Sequence, residues 1–272
     1  MVEPADDRTT DPVVSVIEGG IATVTLNRPE RRNVLDAETI NALRTVIHRL
    51  ARDENVRVVV LASTGPTFCA GADMRAALEG GDDSFARSAP RALAGLLTEM
   101  LELPKPLIAS VRGDVFGGGN GLVAACDLAV AADSARFAFS EVRVGVAPAV
   151  VSVVVLMRMR PRDAARLMLT GQRVSAQTML DAGLLSDVEA VDQVEDRVRG
   201  YCDLVSRGGP GALAATKSLL RQVPGMPIDE AFEWTASLSG RLFSSAEGRE
   251  GMAAFTAKRD PSWVTGSPTS VN

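Results

Sequence analysis

Two short segments could place bare backbone amides around a reacting atom: Phe68-Cys69-Ala70-Gly71-Ala72-Asp73-Met74 and Phe116-Gly117-Gly118-Gly119-Asn120-Gly121. Both carry little side-chain bulk, so their side chains could do little chemistry while their N–H groups stay open to a ligand. Two N–H donors from separate loops can converge on one oxygen and stabilise negative charge there, the oxyanion-hole arrangement. That points to chemistry on an activated carbonyl.

The rest of the chemical inventory narrows the field. The chain holds one histidine, His48, and three widely spaced cysteines, Cys69, Cys126 and Cys202. A Ser-His-Asp triad and most zinc or iron sites would have to use His48. It falls just off the apolar face formed by Ile40, Leu43, Ile47 and Leu50, so it reads as a partly exposed helix residue. Any general acid or base is then a carboxylate. The cysteines form no CxxC pair and read as reduced thiols.

The 272 residues are 46% hydrophobic, enough to bury a substantial core, and the net charge is -5. No basic tract offers a footprint for nucleic acid. The first residues lack the pattern of a signal peptide. The longest apolar run, residues 144–157, is too short and too Pro-interrupted to cross a bilayer. These features lead to the expectation of a cytoplasmic protein that touches neither nucleic acid nor membrane.

The elements that must hold the two segments can be read from periodicity. Residues 13–17 and 21–26 alternate around Glu18-Gly19-Gly20 and predict a β-hairpin. Asp36 caps a first helix. Residues 56–61 and 107–111 are apolar strands, each leading into one of the two small-residue segments. Residues 92–101 form an apolar helix stopped by Pro104 and Pro106. After the glycine cluster, residues 122–126 read as helix, 128–131 and 136–139 as strands, and 161–169 as helix. Ser175 caps a helix ended by Gly183. From Asp192 the pattern becomes four helices: 193–207, 210–222, 228–242 and 246–258. The sum is an α/β core of stacked turns followed by a helical subdomain. Expected divisions are a disordered stretch 1–12, a core 13–205, a helical unit 206–264 and a polar tail 265–272.

The glycine cluster is not a dinucleotide phosphate loop. Its spacing is not GxGxxG, the helix after it is short, and no acidic residue ends a second strand about twenty residues on. Combined with Ala70-Gly71-Ala72-Asp73 and with several segments on either side, it resembles the crotonase, or enoyl-CoA hydratase/isomerase, superfamily from about Val13 to Trp263. Matching stretches include Thr25-Leu26-Asn27-Arg28-Pro29, Lys105-Pro106, Ser140-Glu141-Val142-Arg143-Val144-Gly145, Leu169-Thr170-Gly171 and Arg249-Glu250-Gly251-Met252. The resemblance implies a spiral of ββα turns followed by helices that build homotrimers, often paired into hexamers. It implies an acyl-CoA thioester substrate and no cofactor beyond the coenzyme A that the substrate carries.

By position, the oxyanion amides fall on Ala72 and Gly118. One lies beside a helix start, where the dipole helps. Arg75 stands where relatives often carry lysine, a candidate contact for a CoA phosphate. Arg28, Arg31 and Arg32 are further candidates, as are Ala70, Asp73, Met74, Gly117 and Gly121 along the two loops. Lys258 and Arg259 could reach a neighbouring subunit's CoA. The acyl pocket is expected along residues 92–101 and 146–154, gated by the loop at 79–84.

One departure matters. Well-studied hydratases of the superfamily hold one water between two glutamates, and the first of these positions is Gly121 here. Only Glu141 remains. Asn120 cannot act as a base, and Asp114 is unsupported by the match. A single carboxylate still does general acid–base work. Partial desolvation of Glu141 at the entry to an apolar stretch would raise its pKa toward a useful range. Hydration of a 2-enoyl-CoA is the first expectation. Double-bond isomerisation and acyl-CoA binding without turnover are the alternatives. A protease of the related ClpP-type spiral fold would need a nucleophilic serine with His48, which precedes both oxyanion segments.

Overall fold

The computed structural model describes residues 11–73 and 83–264. The expectations for residues 1–10, for Met74, Arg75 and most of the 79–84 loop, and for the tail 265–272 lie outside the described residues.

Three successive turns each give one strand to a large sheet, one strand to a small sheet, and then a helix. The large sheet orders β1 (Val13–Glu18), β2 (Ile21–Leu26), β3 (Val58–Ser63), β5 (Leu107–Val111), β7 (Leu128–Ala132) and β10 (Asp187–Glu189). Its first pair is the antiparallel hairpin read from the sequence, and the remaining neighbours are parallel. The small sheet orders β4 (Thr67–Cys69), β6 (Asp114–Phe116), β8 (Arg136–Ala138) and β9 (Val174–Ser175). β4, β6 and β8 run parallel, so their carboxyl ends lie side by side.

Helix α1 (Ala37–Arg52) starts where Asp36 Oδ1 accepts the Thr39 amide at 2.8 Å, as its cap position requires. Its Ile40, Leu43, Ile47 and Leu50 stripe is buried. His48 is exposed on the other side and pairs with Glu99 at 3.2 Å. Helix α2 (Asp83–Glu102) packs against α1 and is longer than its apolar stripe implied, with Pro90 inside it. Helix α3 (Gly118–Ala125) begins four residues earlier than its aliphatic part suggested, within the glycine cluster itself. Helix α4 (Ala149–Val155) packs on α3. It lies in the apolar run that had no clear helical period.

Helices α5 (Pro161–Thr170) and α6 (Ala176–Asp181) close the core. The four C-terminal helices follow at the expected places: α7 (Val194–Ser206), α8 (Pro210–Gln222), α9 (Ile228–Ser244) and α10 (Ala246–Thr256). They are fastened to the spiral by two cations. Lys217, 9% exposed, pairs with Asp127 at 2.8 Å and donates to the Met100 and Lys105 carbonyls. Arg57 donates to the Trp263 and Gly208 carbonyls at 2.9 and 2.7 Å. All three cysteines are free and buried, and burial pushes the Cys69 thiol up to about 12. Among the described residues, no helix is long and apolar enough to cross a membrane.

Candidate active site

The site lies at the carboxyl ends of β4, β6 and β8, because each of these strands runs into one of the segments picked out by chemistry. Gly71 follows β4 with φ +83, a conformation that glycine adopts without Cβ strain. A Cβ there would stand 2.9 Å from both the Gly118 nitrogen and the Phe116 carbonyl oxygen. The two small-residue segments therefore touch backbone to backbone. Leu35 fixes the first of them by donating its amide to Gly71 O at 2.8 Å, forming a parallel bridge with Ala72. Gly117, φ +51, turns the second segment into α3 and makes no side-chain cap. Among the described residues, the backbone hydrogen bonds leave the Ala72 and Gly118 amides unmatched.

Glu141 enters from β8. It sits in a single 3-10 turn, Ser140–Val144, closed by Gly145 in the left-handed region. Its Oε1 lies 3.5 Å from where a Cβ of Gly117 would stand. Its Oε2 is buried with no hydrogen-bond partner. Burial raises the carboxyl above the ordinary glutamate range, only partly offset by a hydrogen bond from its own backbone. A desolvated carboxyl of raised pKa thus stands beside the Gly117 turn that precedes the Gly118 amide.

Asn120 couples these parts. It is fully buried, and its Nδ2 donates to Gly117 O at 3.2 Å and Ala138 O at 3.0 Å. The Gly117 amide donates to the same Ala138 carbonyl at 3.1 Å. The residue that could not be a base is a brace between the amide loop and the strand that leads to Glu141. Asp114, the other carboxylate considered, accepts the Arg136 amide at 2.9 Å and so serves the small sheet.

The flanks of the site are apolar. A Cβ on Gly118 would meet Leu35 Cδ1 at 3.1 Å and Leu93 Cδ2 at 3.6 Å, and one on Gly121 would meet Val151 Cγ1 at 2.8 Å and Leu97 Cδ1 at 3.3 Å. Leu93, Leu97 and Val151, from the stretches on α2 and α4, pack against the glycine helix. Nothing local in the sequence marks Leu35, because its contact with the glycine helix is set only by the folded chain.

The arginines after the hairpin are partly spoken for. Arg28 pairs with Glu38 at 2.6 Å and Asp36 at 3.3 Å, and is 16% exposed. Arg31 pairs with Asp36 at 2.7 Å and with the buried Asp73 at 2.5 Å, which ties Asp73 down beside Ala72. Arg32 is exposed, and its carbonyl accepts the Ala70 amide at 3.0 Å. With Arg143 and Arg173 it lines a cleft of about 470 Å3 that also reaches Ala70, Phe116 and Ala138. Lys258 is exposed just past α10 with φ +52, on the C-terminal layer rather than at the two loops.

A family model described as enoyl-CoA hydratase/isomerase matches residues 16–266. The chain belongs to the enoyl-CoA hydratase/isomerase family. Among its relatives, the carnitinyl-CoA dehydratase of Escherichia coli K12 is 34% identical over 251 residues, covering 90% of this chain and 95% of that one. Solved structures agree in shape. An enoyl-CoA hydratase from Mycobacterium smegmatis superposes with a TM-score of 0.88 at 31% identity, covering 93% of this chain and 98% of that one. An enoyl-CoA hydratase from Shewanella pealeana gives 0.89 at 31% identity, covering 94% and 97%. As a member of the family, the protein is an enzyme of the hydratase/isomerase class with the crotonase-like fold.

Proposed function

We propose that the protein adds water to, and removes it from, the α,β double bond of an acyl-CoA thioester, with Glu141 as its single acid/base. The supporting observation is the carboxyl itself. It is desolvated, has one unclaimed oxygen, and packs against a loop that presents an open amide. The thioester oxygen sits between the Ala72 and Gly118 amides, where a donor of this kind contributes about 3 kcal/mol to the barrier. Water's oxygen bonds to C3 as its proton passes to Glu141, the electron pair moves onto the enolate oxygen, and Glu141 then returns the proton to C2. The same relay run backwards is a dehydration, the direction named for the Escherichia coli relative.

A second reading, isomerisation, draws on one observation: the position of a second glutamate is Gly121, and its Cβ direction is filled by Val151. Here Glu141 moves a proton between C2 and C4 without water.

In this reading the CoA phosphates fall to Arg32 and Arg75, with Arg28 and Arg31 ordering the loop beside them, and Lys258 serves a neighbouring copy. Assembly is proposed from the C-terminal layer, where Leu220, Ile228, Phe232, Phe243 and Phe255 are each 65% exposed or more. Monomers rarely leave that much apolar surface uncovered. The expected mass in solution is that of a homotrimer or a pair of trimers.

Purified protein assayed with crotonyl-CoA and 3-hexenoyl-CoA separates the two reactions. Loss of the enoyl-thioester absorbance with crotonyl-CoA supports the lyase. Absorbance gained only with 3-hexenoyl-CoA replaces it with the isomerase.

A further inference from the structure

Position 121 lies one helical turn beyond Gly118 on α3, so a side chain there would share the face on which a Cβ of Gly118 would meet Leu35 and Leu93. That direction is closed. A Cβ on Gly121 would meet Val151 at 2.8 Å and Leu97 at 3.3 Å, and both side chains are only 3% exposed. The wall continues around the Gly118 amide through Leu93 and Leu35. A bound water needs two to four polar partners, and this side of the site offers methyl groups.

We propose that Val151 and Leu97 are specificity-determining residues: they occupy the volume in which a second carboxylate would hold water, and so decide how often Glu141 adds water rather than shifts a double bond. The inference rests on the reading of Glu141 as acid/base. Both reactions need one proton carrier and pass through the same oxygen-centred anion. In hydration a C3–O bond forms, water's proton goes to Glu141, and Glu141 protonates C2. In isomerisation a C2–H bond breaks, Glu141 carries that proton, and a C4–H bond forms with no water consumed. Only the first reaction needs a site for water, and the wall removes one half of it. The surviving water, if it binds, is held by Glu141 alone.

The test compares Val151→Ser, Leu97→Ser and Val151→Ile in the full-length protein. Two rates are taken for each: hydration of 2-hexenoyl-CoA and conversion of 3-hexenoyl-CoA to the 2-enoyl thioester. Serine both opens room and supplies a hydroxyl partner for water, so Val151→Ser raises the ratio of hydration to isomerisation about tenfold. Leu97→Ser moves the ratio the same way, and Val151→Ile lowers it. Circular dichroism checks that each variant is folded, and the second serine variant keeps the test open if one folds badly. An unchanged ratio in a folded serine variant overturns the inference. Glu141→Gln is run alongside: if it leaves both rates intact, the acid/base reading fails, whereas an inactive Glu141→Gln with an unchanged ratio defeats this inference alone.

Discussion

Asn120 Nδ2 donates to the Ala138 carbonyl at 3.0 Å, across eighteen residues of sequence, and that bond joins the loop carrying the Gly118 amide to the strand leading to Glu141. Its second bond, to Gly117 O at 3.2 Å, sets the turn from which α3 starts. This neutral side chain reinforces the backbone bond from the Gly117 amide to the same Ala138 carbonyl in joining the two halves of the proposed catalytic group.

Removing that side chain should loosen the geometry without touching substrate. Asn120→Ala removes the two side-chain bonds, while Gly117 O keeps the backbone amide of residue 120 at 3.0 Å and Ala138 O keeps the Gly117 amide at 3.1 Å, so the cost is about 0.5–1.5 kcal/mol per bond lost. The expected kinetic effect is a fall in kcat of about tenfold to a hundredfold with little change in KM, as for a misaligned oxyanion donor. Steady-state kinetics with a urea titration of the same variant separate the two effects.

The raised pKa of Glu141 has opposite consequences for activity and stability. As a base the carboxyl must be ionised, so kcat/KM should fall as pH drops through a pKa above the ordinary glutamate range. For stability, the folded pKa lies above the unfolded one. The contribution of Glu141 is therefore most favourable below the unfolded pKa and is lost as pH rises through the folded pKa. Glu141→Gln should then be more stable than the natural protein at neutral pH, and the difference should vanish in mild acid. Urea midpoints at the two pH values check this.

Restoring the second glutamate alone should fail. Gly121→Glu forces a Cβ to within 2.8 Å of Val151, and overpacking of this kind costs about 1–3 kcal/mol. Combining it with Val151→Gly should recover much of the loss. A double-mutant cycle measured by chemical denaturation gives the coupling; additive effects would contradict the contact.

The native thiols should be inert. Burial holds Cys69 at about 12 and Cys202 at about 11, and Cys126 higher still. A thiol reagent at neutral pH should label none of them until the chain unfolds.

The legible parts of this fold are those with a local period. The hairpin shows as alternation around Gly19-Gly20, α1 as a cap and an apolar stripe, and α7 to α10 as amphipathic runs broken by Gly and Pro. Most of the small sheet was not legible. Thr67–Cys69, Asp114–Phe116 and Val174–Ser175 are two or three residues long, too short to display a period. Yet this sheet aims the loops. Helix α4 was hidden for a different reason: Ala149–Val155 is apolar nearly throughout, and an all-apolar run fits buried helix and buried strand alike.

The same contrast holds at the site. Ala72, Gly118 and Glu141 could be named as candidates because the two small-residue loops and the Ser140-Glu141 segment carry the family resemblance. The Asn120 brace and the Val151 wall could not, since each is a contact between segments eighteen or more residues apart. The ion pairs that hold Arg28 and Arg31 left a faint trace in Asp36 and Glu38, which follow them within ten residues.

The central claim is that Glu141 moves a proton to and from an enolate held by two backbone amides. The most direct measurement is α-proton exchange of butyryl-CoA in D2O, followed by NMR, for the natural protein and Glu141→Gln, with the dissociation constant of butyryl-CoA measured for both. The account predicts exchange by the natural protein, and unchanged binding with exchange abolished in Glu141→Gln. Exchange at the natural rate in Glu141→Gln would contradict it.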